Sequence, residues 1–283
     1  MDNNTQKLQP FKKSLDVSRV SVPVFHELEE PEKKPLEEII KIVRDGYLGI
    51  PLFQRDFVWT RRDIEELFGS ILRGYYVGSL LFWSVNRDPE IKVEPVYGTG
   101  VPEEKLKPRY IVLDGQQRIS SIFYATTAPN LRLWNTKQPY VFFIDLEKLL
   151  ESDNFSEPVD FVISMPKSQA ERRGLFKPNE QFQNWYFPIF KFENFHDWLD
   201  EFEEFLRSRQ DFSQEKVLEI KRRLRGFLRQ VWEKFEIPII KLPQDMQLVD
   251  VAKIFKKLNS TGVLLTVFDL LNARIVKHNI RIM

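Results

Sequence analysis

A chain of 283 residues, 42% apolar and 29% charged, has the make-up of an ordinary globular protein and enough length to bury a sizeable core. Its 42 basic and 41 acidic residues leave a formal charge of +1, so bulk charge gives no footprint for nucleic acid or an anionic membrane. The absence of cysteine excludes disulfides, thiolate metal sites and a cysteine nucleophile, and it agrees with a reducing cytoplasm.

Residues 1–34 are polar, end in the acidic run Glu27, Glu29, Glu30 and Glu32, and read as a mobile lead-in without an apolar core of signal-peptide length. Leu36, Ile39, Ile40 and Val43 then follow Pro35 at helical spacing, with Gly46 as the stop. A short apolar piece, 48–53, leads into Gln54-Arg55-Asp56-Phe57-Val58-Trp59. Thr60 and Asp63 form a capping-box pair ahead of the buried stripe Ile64, Leu67, Phe68 and Ile71, and Gly74 ends that helix. Leu80 to Val85 reads as a buried strand, 86–108 as a loop with room for a hairpin, and Tyr110 to Leu113 as a second buried strand. Ile119, Ile122 and Phe123 give the next helix its inner face. Tyr140 to Ile144 and Val159 to Ile163 are further strand candidates.

From about residue 190 the pattern turns helical. Phe195, Trp198, Leu199, Phe202 and Leu206 form the stripe of a helix with an acidic outer face. Val217, Ile220, Leu224, Phe227, Leu228 and Val231 form that of a helix with a basic face (Lys221, Arg222, Arg223, Arg225, Arg229). A hairpin with complementary charged faces explains both, and a nucleic-acid surface on the basic helix is the alternative. A strand over 237–242, a helix over 249–258, the turn Asn259-Ser260-Thr261-Gly262 and a helix capped by Thr266 and Asp269 complete the chain. The sequence ends without a stop signal, which leaves open whether the protein continues past Met283. No run approaches the roughly 18 uninterrupted apolar residues of a membrane span, so a soluble cytoplasmic protein with no membrane partner is expected.

Several chemistries lack their residues. There is no Gly-x-x-x-x-Gly-Lys-Ser/Thr phosphate loop, and Gly98-Thr99-Gly100 has neither a third glycine nor a preceding strand. His26, His196 and His278 show no metal-ligand spacing. Asp114-Gly115-Gln116-Gln117-Arg118 is different. An apolar strand ends at a carboxylate, glycine permits a tight turn, and a helix begins. Its first N–H groups lack internal partners and favour an anion. Gln116 and Gln117 add neutral donors, Arg118 a bidentate phosphate ligand. Asp114 is placed to hold a divalent cation, orient a water or bond a ribose hydroxyl. Alternatively Asp114 caps the helix and Arg118 pairs with a nearby acid, and both readings stand. Arg55 could meet the same phosphates from another loop or form, with Gln54, a solvated pair. Asn259, Ser260 and Gly262 offer amide, hydroxyl and backbone donors, or simply stop a helix. Trp59 reads as a packing anchor ahead of a stacking platform.

Together, Ile50-Pro51-Leu52-Phe53-Gln54-Arg55-Asp56-Phe57-Val58-Trp59, Val77-Gly78-Ser79-Leu80, Leu113-Asp114-Gly115-Gln116-Gln117-Arg118 and Phe255 to Thr266 resemble, in order, the N-terminal domain of GmrSD-type modification-dependent restriction enzymes, in the ParB/sulfiredoxin-like superfamily. The resemblance covers roughly 35–280. It implies an α+β fold: a ParB/sulfiredoxin-like core over 35–190, with a helical part over 191–283 packed on it. In that family the Asp-Gly-Gln-Gln-Arg motif is associated with nucleotide binding and hydrolysis, and a separate histidine-containing nuclease domain cuts DNA. No matching histidine motif follows residue 260 here, so cleavage does not carry over, and sulfiredoxin chemistry fails for want of a cysteine. The resemblance implies an NTP and Mg²⁺ as ligands. Asp114 (the possible Mg²⁺ ligand) and Arg118 would act catalytically, and Gln54, Arg55, Gly115, Gln116, Gln117, Asn259, Ser260 and Gly262 would hold the nucleotide. A nuclease domain or subunit is the expected partner, and DNA a further one.

Overall fold

The computed structural model describes residues 30–86, 89, 91–152 and 161–258. In chain order they form β1 (Glu32–Pro35), α1 (Leu36–Arg44), β2 (Leu48–Pro51), α2 (Arg61–Leu72), β3 (Leu80–Ser84), β4 (Val93–Pro95), β5 (Tyr110–Asp114) and α3 (Gln116–Thr127). Then come β6 (Tyr140–Asp145), α4 (Leu146–Glu151), β7 (Val162–Pro166), α5 (Lys167–Arg172), α6 (Pro178–Gln183), β8 (Tyr186–Pro188), α7 (Phe195–Ser208), α8 (Gln214–Arg229), β9 (Glu236–Leu242) and α9 (Leu248–Leu258). The main sheet has six strands in the order β1-β9-β3-β5-β2-β4. β9 runs parallel to β3 and β2 parallel to β5, while the other neighbours are antiparallel. A second, three-stranded antiparallel sheet has the order β7-β6-β8. The fold is α+β, as expected.

The apolar runs of β3 and β5 are continuous because both sides of the main sheet are covered. Leu80, Phe82 and Val112 face the large core shared with α1, α2 and α3. The alternate residues Leu81, Trp83, Ile111 and Leu113 face the other way, onto Val251 and Phe255 of α9. Because β9 adds to this sheet beside β3, the sheet draws on chain from both sides of residue 190.

Local signals account for several elements. α1 buries Leu36, Ile39, Ile40 and Val43 and carries Glu37 and Glu38 in its first turn against Lys41 and Arg44 in its last, the order that its dipole favours. In α2 the Thr60–Asp63 capping box is complete, with Thr60 N donating to Asp63 Oδ2 at 2.6 Å. The charged faces of α7 and α8 meet each other: Lys221 pairs with Asp200 at 2.6 Å and with Glu203, and Arg225 reaches Asp200 at 3.4 Å.

Three readings change. Residues 32–34, polar enough to pass for lead-in, form edge strand β1, whose Glu32 pairs with Lys34 and with Lys241 of β9. β7 runs on past Ile163 to Pro166, because its register on β6 extends from Ile144↔Val162 to Tyr140↔Pro166, while Val159 lies outside the described residues. α8 stops at Arg229, and a π-helical turn over Gln230–Lys234 turns Val231 and Trp232 into the core. No helix of the described residues is long and apolar enough to cross a membrane.

Removal of the cap tests the α2 assignment. Thr60→Ala should cost about 1 kcal/mol and lower the melting temperature by roughly 2–4 °C in a thermal-shift assay, whereas Thr60→Ser should stay close to the parent.

Candidate functional site

The site grows from the end of β5. After Asp114 the chain turns through Gly115 at φ 96°, the left-handed region, and enters α3 directly. A Cβ at Gly115 would overlap Leu80 Cδ2, so the turn needs glycine for space as well as conformation. Gly115 is the N-cap and offers no side-chain acceptor, and the first helical bond runs from Ile119 N to Gly115 O at 3.0 Å. The N–H groups of Gln116, Gln117 and Arg118 have no partner among the described residues. The first turn holds no acidic residue, so the helix end is left electropositive.

Three amino-acid side chains of the motif region fasten loops to this corner. Gln54 Nε2 donates to Val112 O of β5. Gln117 is 7% exposed, its Oε1 accepts from Val58 N at 2.9 Å, and its Nε2 donates to Asp56 O at 3.0 Å. Arg118 Nη2 donates to Asp114 Oδ2 at 2.9 Å and Nη1 to Val77 O at 3.0 Å. The Arg118 side chain is 17% exposed, the Asp114 carboxylate 48%. Gly78, at φ 90°, is what lets the guanidinium lie against the 77–79 backbone, since a Cβ there would overlap Nη1.

Arg118 therefore pairs with Asp114 itself, and Asp114 is not the helix cap. The side-chain amides of Gln54 and Gln117 are engaged by backbone groups, so what Gln117 offers an anion is its N–H. Gln116 is 7% exposed and makes no side-chain hydrogen bond among the described residues. Arg55 is exposed and has no partner among them. Trp59 packs against the main core, in line with the anchor reading. Asn259, Ser260 and Gly262 lie outside the described residues. α9, which leads into them, is docked beside Gln54: the Phe255 ring meets that of Phe53 edge-on at 5.1 Å.

Gly78 is the position that side-chain reasoning passed over. Its signal was a glycine two residues ahead of a buried strand, in the Val77-Gly78-Ser79-Leu80 segment. His196 lies 3.6 Å from Glu233 on the surface, and His26 and His278 lie outside the described residues. Among the described residues no three His, Asp or Glu side chains gather as a metal site. On β4, burial first and the charges of Asp56 and Glu103 second hold the Glu94 carboxyl above its ordinary value of 4.5.

The class defined by this geometry is an α+β domain with an uncapped helix end beside an Asp–Arg pair, suited to an anion. The model of the GmrSD restriction endonuclease N-terminal domain matches residues 36–276, and the chain belongs to that family. It is of the kind found in restriction endonuclease systems. It is also 33% identical over 267 residues to Uncharacterized protein MJ0686 of Methanocaldococcus jannaschii, a match covering 87% of this chain and 42% of that protein. The chain thus spans about two fifths of the length of this curated relative.

Two substitutions test the geometry. Gly78→Ala adds both a positive-φ penalty and an overlap with Arg118, and should cost about 1–3 kcal/mol, read as a lowered melting temperature and faster proteolysis at 74–79. Glu94→Gln should stabilise near pH 7 and do nothing near pH 4. Below the ordinary carboxyl value both states hold the proton, and above it only the native state bears the cost of a buried charge. Stability that falls near pH 7 on this substitution would contradict the assigned cause.

Proposed function

We propose that this chain is the nucleotide-binding, NTP-hydrolysing regulatory part of a modification-dependent restriction or phage-defence system, acting with a nuclease domain or subunit. The observation that carries the reading is the row of N–H groups at Gln116, Gln117 and Arg118 without partners among the described residues, set beside a half-exposed carboxylate. Terminal phosphates would bind those N–H groups. Arg55, exposed and unpaired among the described residues, would neutralise phosphate charge from the 52–59 loop, as arginines do in phosphoryl transfer. Arg118 would bear on the same phosphates while Val77 O keeps it in place. Asp114 Oδ2 is taken by Arg118, which leaves Oδ1 to orient a water or to contact Mg²⁺. One carboxylate suits Mg²⁺ shared with nucleotide phosphates, where the ion keeps several waters and supplies positive charge to the phosphate oxygens. Asn259, Ser260 and Gly262, which lie outside the described residues, are included among the nucleotide-binding residues on the strength of the family motif alone.

A second reading, a switch that binds nucleotide without turnover, draws support from the engagement of Asp114 Oδ2 by Arg118, which occupies one of the two carboxylate oxygens. DNA contact through the basic face of α8 has less support, because Lys221 and Arg225 are met by α7, Arg229 by Glu233 at 2.8 Å and Arg223 by Leu150 O at 3.3 Å, while Arg222 is exposed with no partner among the described residues.

Radiolabelled NTP turnover with Mg²⁺ separates these readings. Arg55→Ala should keep the parent's melting temperature within about 2 °C, since a surface change away from packing costs little. Asp114→Asn should lower it by no more than about 4 °C, since it weakens a half-exposed ion pair. Each should lower turnover by about tenfold or more, the scale of a lost charge contact. Tight binding without product in the parent would favour the switch. Full turnover in both variants would remove the site assignment.

A further inference from the structure

The loop joining α3 to β6 is tightly held yet presents a large aromatic to solvent. Tyr124, buried in α3, donates to Leu131 O at 2.7 Å and accepts from Tyr140 N at 3.1 Å, so one hydroxyl pins both ends of the loop. Its burial pushes the Tyr124 phenol up to about 12, so the hydroxyl keeps its proton. Between those points, Leu133 is buried, and Thr136 N donates to Leu133 O at 3.1 Å. Asn135 adopts φ 59°, completing a tight turn. On this rigid turn Trp134 is 50% exposed. An ordered, half-exposed Trp on a fixed loop is a feature of contact surfaces, because burial elsewhere would have been favourable.

Trp134 forms one wall of a cleft of about 500 Å³, a size that takes a small ligand. Thr60, Arg61 and Arg62 at the start of α2 form the other, and Lys137, Gln138 and Tyr140 complete it. The lining contains three cations and no carboxylate. Arg61 is shared with Glu65 at 3.1 Å, and Asp63 is held within the capping box. Arg62 and Lys137 have no partner among the described residues. Gln138 Oε1 accepts from Ser168 Oγ at 2.5 Å, which leaves its NH₂ to donate. None of Gln54, Arg55 or Asp114 to Arg118 lines this cleft.

We propose that the cleft binds one unpaired nucleotide unit of a nucleic-acid strand, with its base stacked on Trp134, its phosphates on Arg62 and Lys137, and a base edge on the Gln138 amide. Stacking on an exposed aromatic is open to every base, and cations at its side track the backbone. A near-neutral protein would then engage a strand through this local patch alone.

Fluorescence anisotropy of a labelled oligothymidylate 12-mer on the full chain tests the assignment, with the matching duplex and free dTMP as competitors. Trp134→Ala should weaken strand binding by about tenfold, whereas Trp134→Phe should retain it within about threefold, as the loss of a stacking face predicts. Arg62→Ala with Lys137→Ala should weaken binding further and flatten its salt dependence by about 1.4 in log–log slope. The single strand should outcompete the duplex. Full displacement by dTMP at equal nucleotide concentration would overturn the strand assignment in favour of free nucleotides, and its failure would support strands. Thermal melting unchanged in Trp134→Ala excludes unfolding as the cause. No binding by the parent, or binding as tight as the parent's in Trp134→Ala and in the double-cation variant, would overturn the proposal.

Discussion

Everything at the centre of this domain depends on where Arg118 puts its two terminal nitrogens. One draws the Asp114 carboxylate aside, and the other fixes the backbone at Val77. An acidic side chain at the start of a helix would ordinarily satisfy the first N–H groups and cap it. Here the carboxylate sits one residue too early and is turned to Arg118, while the capping position is a glycine with nothing to offer. The pair itself, with Asp114 about half exposed, contributes modestly to stability. Its consequence is geometric: the helix end stays open. Gly78 and Gly115 are the two places where the surrounding backbone yields for this arrangement.

The amides extend the same logic outward. Gln117 reaches from α3 to the backbone at Asp56 and Val58, and Gln54 reaches from that loop back to β5. Arg55, between them in sequence, is thereby carried on a fastened segment with its side chain left in solvent. α9 adds a third approach through the Phe53–Phe255 contact. Segments far apart in the chain meet at one strand end because the strand is central and both of its faces are packed.

Much of this was legible beforehand, and the reasons differ by element. α1 and α2 were readable because a helix announces itself through spacing and caps, and both signals lay within a single segment. The strand–Asp-Gly–helix junction was readable for the same reason. β1 was not, since Glu32, Lys33 and Lys34 form a strand only through pairing with β9 and its Lys241, and charged edge strands carry little apolar signal. The register of β7 is likewise set by its partner. The amides of Gln54 and Gln117 read equally well as ligands or as fasteners, because their backbone partners are remote in sequence. Trp134 gave no pattern at all: its meaning comes from the hydroxyl of Tyr124 and the cations of α2 across the cleft.

The central claim is that the start of α3 is kept open to receive phosphate. Backbone amide chemical shifts, followed by TROSY NMR while a nucleoside triphosphate and Mg²⁺ are titrated into the protein, test it most directly. The account predicts that the amides of Gln116, Gln117 and Arg118 move together and saturate with the ligand. Saturable shifts elsewhere, with those three amides unmoved, would contradict it.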